Sequence, residues 1–143
     1  MACGLDTPFL VQFEVAEADG HIAARRWVRH ATANGQSLAL APQVLAEFIH
    51  IVTDPARFRH PLSAAAAVAR ALSWWTAAEI QPVHITDAAL RLFAGWMTQH
   101  RLGRRRILDT LLAATYWANG VTEIVTSDAR DFRLYGCFAI RTP

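Results

Sequence analysis

The chain has 143 residues, of which 53% are hydrophobic and 18% are charged, and its formal net charge at pH 7 is +2. Its length predicts a single domain, residues 1–143, which can bury about two-thirds of the surface that the unfolded chain exposes. This composition excludes disorder, and no apolar run reaches the roughly 18 residues that a membrane span needs. No basic segment precedes an apolar one at the start of the chain, so we expect a cytoplasmic protein.

The basic residues are unusual in kind, because all 14 are Arg and none is Lys. Arg presents a planar fork of donors to phosphate, whereas Lys offers a point charge. Coding bias in an Ala- and Arg-rich genome is the alternative explanation for this composition. Cys3 and Cys137 are too few for a disulfide framework and too far apart for a zinc knuckle, so we interpret both as buried strand residues.

The first half of the chain alternates short apolar runs with helical patterns. Pro8 and Pro42 suit first helical positions, Ser63 suits an N-cap, and the Asn34 and Gly35 pair is typical of a helix end. In chain order we predict strand 2–5, helix 8–15, helix 22–34, strand 37–41, helix 42–52 and helix 64–78.

The second half continues the alternation, so the whole chain predicts a parallel α/β sandwich. Thr86 suits an N-cap and Gly103 a helix end, and Pro82 places its strand near a sheet edge because proline cannot donate to a neighbour. We also expect the arm 64–79, with Trp74 and Trp75, to project as a helical pair with the helix before it. In chain order we predict strand 80–85, helix 87–102, helix 106–119, strand 122–126, turn 127–133 and strand 137–141.

Four carboxylates lie either directly after an apolar strand or at the edge of the apolar face of a helix. Asp6 and Asp128 follow predicted strands, and ligands of parallel sheets bind at the carboxyl ends of the strands. Glu47 and Asp109 lie inside helices at the rim of the apolar stripe, where we expect partial burial. Two such charges about 4 Å apart repel by roughly 4 kcal/mol at an effective dielectric near 20, so a hard divalent cation is expected between them.

A run of Arg residues precedes Asp109. Cations are disfavoured at a helix N-terminus by the dipole, yet such a terminus with added Arg is a good phosphate site. We predict phosphate binding by Arg104, Arg105 and Arg106. Two alternatives stay open: the run is a solvated charged face, or Asp109 is a structural ion-pair partner of Arg105 or Arg106. For Glu47, the structural alternative is that it caps a helix or forms a salt bridge.

Short motifs containing these acids occur in a fixed order along the chain. They read LDTPFL at 5–10, VLAEF at 44–48, DTLLAAT at 109–115 with NGV at 119–121, and TSDARDF at 126–132. In order and spacing they resemble a PIN domain and, more narrowly, the VapC-type ribonuclease toxins of bacterial toxin–antitoxin pairs. The resemblance implies a three-layer α/β/α sandwich with a central, mainly parallel sheet.

The resemblance also implies a metal site. Its ligands to Mg²⁺ or Mn²⁺ would be Asp6, Glu47, Asp109 and Asp128. Thr7 and Thr126 would be hydroxyl partners, and Asp131 would either support the ligands from outside or substitute for Asp128. Position 8 departs from the pattern, because Pro8 replaces a small polar residue and removes a backbone donor near the metal.

The function implied by the resemblance is metal-dependent hydrolysis of RNA by a toxin that a cognate antitoxin holds inactive. The two helices 42–52 and 64–78 offer more apolar surface than a small sheet can cover, so we predict a symmetric homodimer and an antitoxin helix in a nearby groove. The residues concerned are Phe48, Ile49, Ile51, Val52, Trp74 and Trp75. One alternative is a PIN-like interaction module without catalysis. Phosphoryl-transfer domains on similar sheets normally require a Lys near the phosphate, which this chain lacks.

Overall fold

A computed structural model describes residues 2–143 as one five-stranded sheet with helices packed around it. The strands are β1 (Ala2–Leu5), β2 (Ser37–Leu40), β3 (Ile80–Pro82), β4 (Glu123–Val125) and β5 (Ala139–Arg141). The helices are α1 (Thr7–Glu14), α2 (His21–Ala33), α3 (Pro42–Val52), α4 (Ala64–Trp75), α5 (Asp87–Gln99), α6 (Ile107–Ala118) and α7 (Arg130–Arg133), and a 3₁₀ turn (Arg104–Arg106) precedes α6. No helix in this part of the chain has the length and hydropathy to cross a membrane.

The sheet order places β1 at the centre. Its order is β3-β2-β1-β4-β5, and every neighbouring pair is parallel, as the alternation of elements predicts. The chain moves outward from β1 to β2 and β3 on one side, then returns to β4 and β5 on the other. This reversal makes a switch point between β1 and β4, where the carboxyl ends of the strands leave a crevice.

Helix α6 lies close to the sheet because β1 contains a glycine. A Cβ added to Gly4 would lie 2.9 Å from two ring carbons of Tyr116, a fully buried side chain. The Tyr116 hydroxyl donates to the backbone oxygens of Leu5 and Ala39, on β1 and β2. Asp109 lies seven residues before Tyr116, about two helical turns, so both side chains project from the same face of α6.

Several element ends differ from the sequence prediction. Strand β3 ends at Pro82, which cannot donate to a further pair, and it is an edge strand as predicted. Helix α5 ends at Gln99, because the chain then turns through a positive φ of 52° at Arg101. The predicted turn 127–133 contains the one-turn helix α7, which buries Phe132. Pairing of β5 with β4 begins only at Ala139.

Helix α4 packs along α3 as expected, but it does not project from the body of the protein. The Trp74 ring packs edge-on against Phe13 with ring centroids 5.0 Å apart, and its indole nitrogen donates to Glu14 Oε1 at 2.9 Å. Arg70 also forms an ion pair with Glu14 at 2.6 Å. These contacts hold α4 against α1, so the expectation of a projecting helical pair is wrong. Cys3 is buried, and Cys137 is half-buried just before β5.

Candidate active site

A pocket of about 430 Å³ opens at the carboxyl ends of the strands, between α1, α3 and α6. Four acids contribute to its lining: Asp6, Glu47, Asp109 and Asp131. The structure therefore brings together three of the four acids that the sequence selects, with Asp131 as the fourth. Asp128 does not line this pocket, although its charge is near enough to raise the pKa of Asp109.

Asp6 is the most buried of these acids, with only 3% of its surface exposed. It follows β1 directly and caps α1, where its Oδ1 accepts a hydrogen bond from the backbone N–H of Phe9 at 2.9 Å. The pKa of Asp6 is raised to about 7, chiefly by burial; hydrogen bonds from Thr126 and Phe9 oppose the shift, and the nearby charges of Asp109 and Asp131 add to it. In the absence of a cation, Asp6 is therefore partly protonated near neutral pH.

The substitution at position 8 leaves this cap intact. Pro8 lies in the first turn of α1, where a backbone N–H has no partner within the helix. The cap to Asp6 is made instead by the N–H of Phe9. The missing donor of Pro8 is thus not one that Asp6 uses in this structure.

Glu47 is held at the mouth of the pocket by a single hydroxyl contact. Thr7 Oγ1 donates to Glu47 Oε2 at 3.2 Å, and Thr7 itself is buried. Within residues 2–143, no basic side chain lies at ion-pair distance from Glu47. Glu47 is exposed, so the expectation of partial burial is wrong, because α3 faces an open pocket at this point rather than another helix.

Asp109 and Asp131 share one Arg. Arg106 Nη1 lies 3.2 Å from Asp109 Oδ2 and 3.0 Å from Asp131 Oδ1. The pKa of Asp109 is raised, chiefly by burial and next by the charge of Asp131, while Arg106 lowers it. Of the two ion pairs that the sequence allows for Asp109, the structure contains the one with Arg106.

Asp128 is turned toward solvent. Its Oδ1 accepts from Arg130 Nε at 3.2 Å, and hydrogen bonding to the Arg130 side chain lowers the pKa of Asp128. The backbone N–H of Asp128 donates to the buried Thr126 hydroxyl at 3.1 Å. Thr126 thus contacts both the loop of Asp128 and the carboxylate of Asp6.

Sequence reasoning missed three residues of the site. Gln43 and His50 line the pocket, four residues before and three after Glu47 on α3, and this spacing places all three on one helix face. The same spacing, applied outward from Glu47, would have found them. Tyr135 was also missed, and it contacts Arg106 and Thr110 from beyond α7. Nothing in its local sequence indicates this role.

The donor chemistry of the pocket suits a hard divalent cation. Its acids offer carboxylate oxygens, the donor atoms that Mg²⁺ and Mn²⁺ prefer. Asp109 and Asp131 also lie close enough to repel each other, and a cation would relieve this repulsion. Within residues 2–143, no three His, Cys, Asp or Glu side chains are already spaced to hold a metal ion. The residues therefore have the right donor atoms for the ion, but their side chains would have to move closer together to coordinate it.

The whole chain resembles solved structures of bacterial toxins. It matches VapC20 of Mycobacterium tuberculosis, a Sarcin-Ricin loop cleaving toxin, with a TM-score of 0.73 and 20% identity, covering 98% of this chain and 99% of that one. A chain of VapBC2 from Rickettsia felis, bound to a promoter DNA fragment, matches with a TM-score of 0.68 and 15% identity, covering 100% and 99%. FitAcB from Neisseria gonorrhoeae matches with a TM-score of 0.63 and 15% identity, covering 96% of this chain and 95% of that one. No protein-family model and no curated protein matches the sequence.

These likenesses confirm the fold that the motifs predict. The chain has the PIN-like α/β/α sandwich with a parallel central sheet, and the solved structures that it resembles are VapC-type toxins. At identities of 20% or less, similarity establishes the fold, and the activity has to be argued from the pocket.

Proposed function

We propose that this protein is a metal-dependent endoribonuclease and the toxin of a toxin–antitoxin pair. The observation that carries the proposal is the convergence of Asp6, Glu47, Asp109 and Asp131 on one pocket at the sheet's switch point. Its fold is that of a toxin from Mycobacterium tuberculosis that cleaves the Sarcin-Ricin loop. We treat residues 1–143 as one catalytic domain acting in the cytoplasm, where RNA substrates are found.

Asp6, Glu47, Asp109 and Asp131 would hold Mg²⁺ or Mn²⁺. A bound ion would polarise the phosphodiester and lower the pKa of a water molecule. The chain's own contribution is orientation: the N–H of Phe9 fixes the Asp6 carboxylate, and the Thr7 hydroxyl fixes that of Glu47. Glu47 is exposed and has no basic partner at ion-pair distance in the part of the chain that the structure describes, so a carboxylate oxygen of Glu47 that is not bound to the ion would accept a proton from the attacking water.

The decisive experiment is RNA cleavage by the purified protein, freed of any antitoxin, with Mn²⁺ or with excess chelator. We expect cleavage of looped or single-stranded RNA in Mn²⁺ and none in chelator. Cleavage that persists in chelator would contradict the metal-dependent mechanism. Metal binding without cleavage of any RNA would favour the alternative, a PIN-like interaction module.

Two Arg residues are suited to hold the RNA backbone. Arg104 and Arg105 are exposed on the 3₁₀ turn at the start of α6, where backbone N–H groups of the helix start could also bind an anion. We expect the Arg104→Gln, Arg105→Gln double variant to bind RNA more weakly, with a salt slope reduced by about 0.7 for each phosphate that Arg no longer neutralises. The matched control removes two exposed Arg residues of α2, Arg26 and Arg29. Equal salt slopes for wild type and both double variants would contradict phosphate binding at the turn.

The partner surface predicted from the sequence is not available as such, because Phe48 and Val52 are buried and Trp74 packs against Phe13. We propose a partner surface on another face of α4. Val68 and Leu72, one turn apart on this helix, are 43% and 57% exposed, although α4 packs on α3 with its other face. Contiguous exposed apolar surface marks interaction sites, and these two side chains would form the centre of such a patch. We propose that this face contributes to a symmetric homodimer, and that an antitoxin segment binds in a groove beside it.

A further inference from the structure

Arg106 differs from the Arg residues beside it, because its side chain turns into the acidic pocket. Its Nη1 lies between two carboxylates, 3.2 Å from Asp109 Oδ2 and 3.0 Å from Asp131 Oδ1. Only 23% of its side chain is exposed, whereas Arg104 and Arg105 are exposed. One guanidinium nitrogen thus bridges an acid of α6 and an acid of α7.

The guanidinium is fixed in this position from its other side. Arg106 Nη2 donates to the backbone oxygen of Asp131 and to the Tyr135 hydroxyl at 3.3 Å. That hydroxyl shares a 2.7 Å hydrogen bond with the buried Thr110, and the Tyr135 ring stacks on Trp96 with centroids 4.7 Å apart. Because both terminal nitrogens of the guanidinium, Nη1 and Nη2, make contacts, its orientation is fixed, unlike that of a solvated surface Arg.

We infer that Arg106 is a built-in counter-cation that competes with the divalent metal for Asp109 and Asp131. The inference rests on the metal site of the proposed function. Both cations would neutralise the same two carboxylates, and the guanidinium is attached to the protein. A metal ion that binds the oxygens now paired with Arg106, Asp109 Oδ2 and Asp131 Oδ1, must displace it. The apparent metal affinity is then lower than the acids alone would give, because part of the population holds the internal competitor.

The test is Mn²⁺ binding measured by titration calorimetry in the absence of RNA. We expect Arg106→Gln to bind Mn²⁺ about tenfold more tightly than wild type, a coupling of ordinary size for two competing ligands. The control is Arg133→Gln, which removes the same charge from an exposed residue on α7, two positions from Asp131. It should change the dissociation constant by no more than about twofold, since exposed charges are screened.

Three outcomes would overturn the inference. An unchanged or weaker affinity in Arg106→Gln would mean that Arg106 only positions the acids. An equal gain in Arg133→Gln would mean that net charge, rather than occupancy, controls affinity. Absence of Mn²⁺ binding in all proteins, wild type included, would remove the metal site and the proposed function with it.

A second variant covers the case in which Arg106→Gln does not fold, as judged by its near-ultraviolet circular dichroism. Arg106→Lys keeps the charge, but a compact ammonium cannot bridge Asp109, Asp131 and Tyr135 together as the fork does. We expect it to bind Mn²⁺ about threefold more tightly than wild type, because the competitor is held less firmly. Affinity equal to or weaker than wild type would again overturn the inference.

Discussion

Asp6→Asn and Asp109→Asn should each lower the rate of RNA cleavage by about a thousandfold or more, equivalent to about 4 kcal/mol in the activation barrier. Each substitution removes one anionic ligand, which weakens metal binding and displaces the attacking water. The measurement is single-turnover cleavage of a labelled RNA in saturating Mn²⁺. The matched control is Asp87→Asn, which removes an exposed acid on α5 whose ion pair is with Arg91. Full activity in purified Asp109→Asn protein would contradict the proposed site.

The same assay tests which acid is the fourth ligand. Asp131 lines the pocket, whereas Asp128 pairs with Arg130 and faces solvent. We therefore expect Asp131→Asn to lose much more activity than Asp128→Asn. The reverse order would mean that the 126–132 loop rearranges when metal binds and brings Asp128 inward.

Asp6→Asn should make the metal-free protein more stable at pH 8 while destroying its activity. Burial raises the pKa of Asp6 from 3.8 to about 7, so the folded state binds more protons than the unfolded state between these values. The contribution of Asp6 to stability is therefore lost as pH rises from about 4 to 7, and above pH 7 its charge destabilises the fold by at most about 4 kcal/mol. Asn keeps the helix cap without the charge, since Asn and Asp cap equally well.

Thermal unfolding in chelator, at pH 5 and at pH 8, measures this effect. We expect wild type to melt well below Asp6→Asn at pH 8, with less than half of that difference at pH 5, because only part of the interval between the two pKa values has been crossed there. Saturating Mn²⁺ should then stabilise wild type by about 2.7 kcal/mol at a hundredfold excess over the dissociation constant, and the variant much less. If Asp6→Asn melts lower than wild type at both pH values without metal, Asp6 has a structural role instead. The same experiment on Asp109 would be harder to interpret, because its substitution also removes the ion pair with Arg106.

Much of the fold could be predicted from the sequence because the signals involved are local. Pro82 marked an edge strand, Thr86 and Ser63 marked helix starts, and Asp6 followed directly on an apolar strand. Each of these rests on the backbone chemistry of one or two residues. The position of Asp6 at the pocket then follows from the rule that parallel strands present their carboxyl ends at one edge.

The parts that could not be predicted depend on distant contacts. Four Arg residues stand close together before Asp109, and nothing local distinguishes the one that turns inward. The orientation of Arg106 depends on Asp131 and Tyr135, which are 25 and 29 residues away in the chain. The exposure of Glu47 likewise depends on the open pocket, since its apolar neighbours on α3 predict burial.

The close contact between Gly4 and Tyr116 has a genetic consequence. Any side chain larger than hydrogen at position 4 pushes against the ring that fastens α6, and with it Asp109, to the centre of the sheet. In cells that survive production of an active toxin only by inactivating it, suppressor mutations should therefore collect at Gly4 as well as at the acids. Such survivors would keep every pocket residue, and they would differ from the parent only in the distance between helix α6 and the sheet.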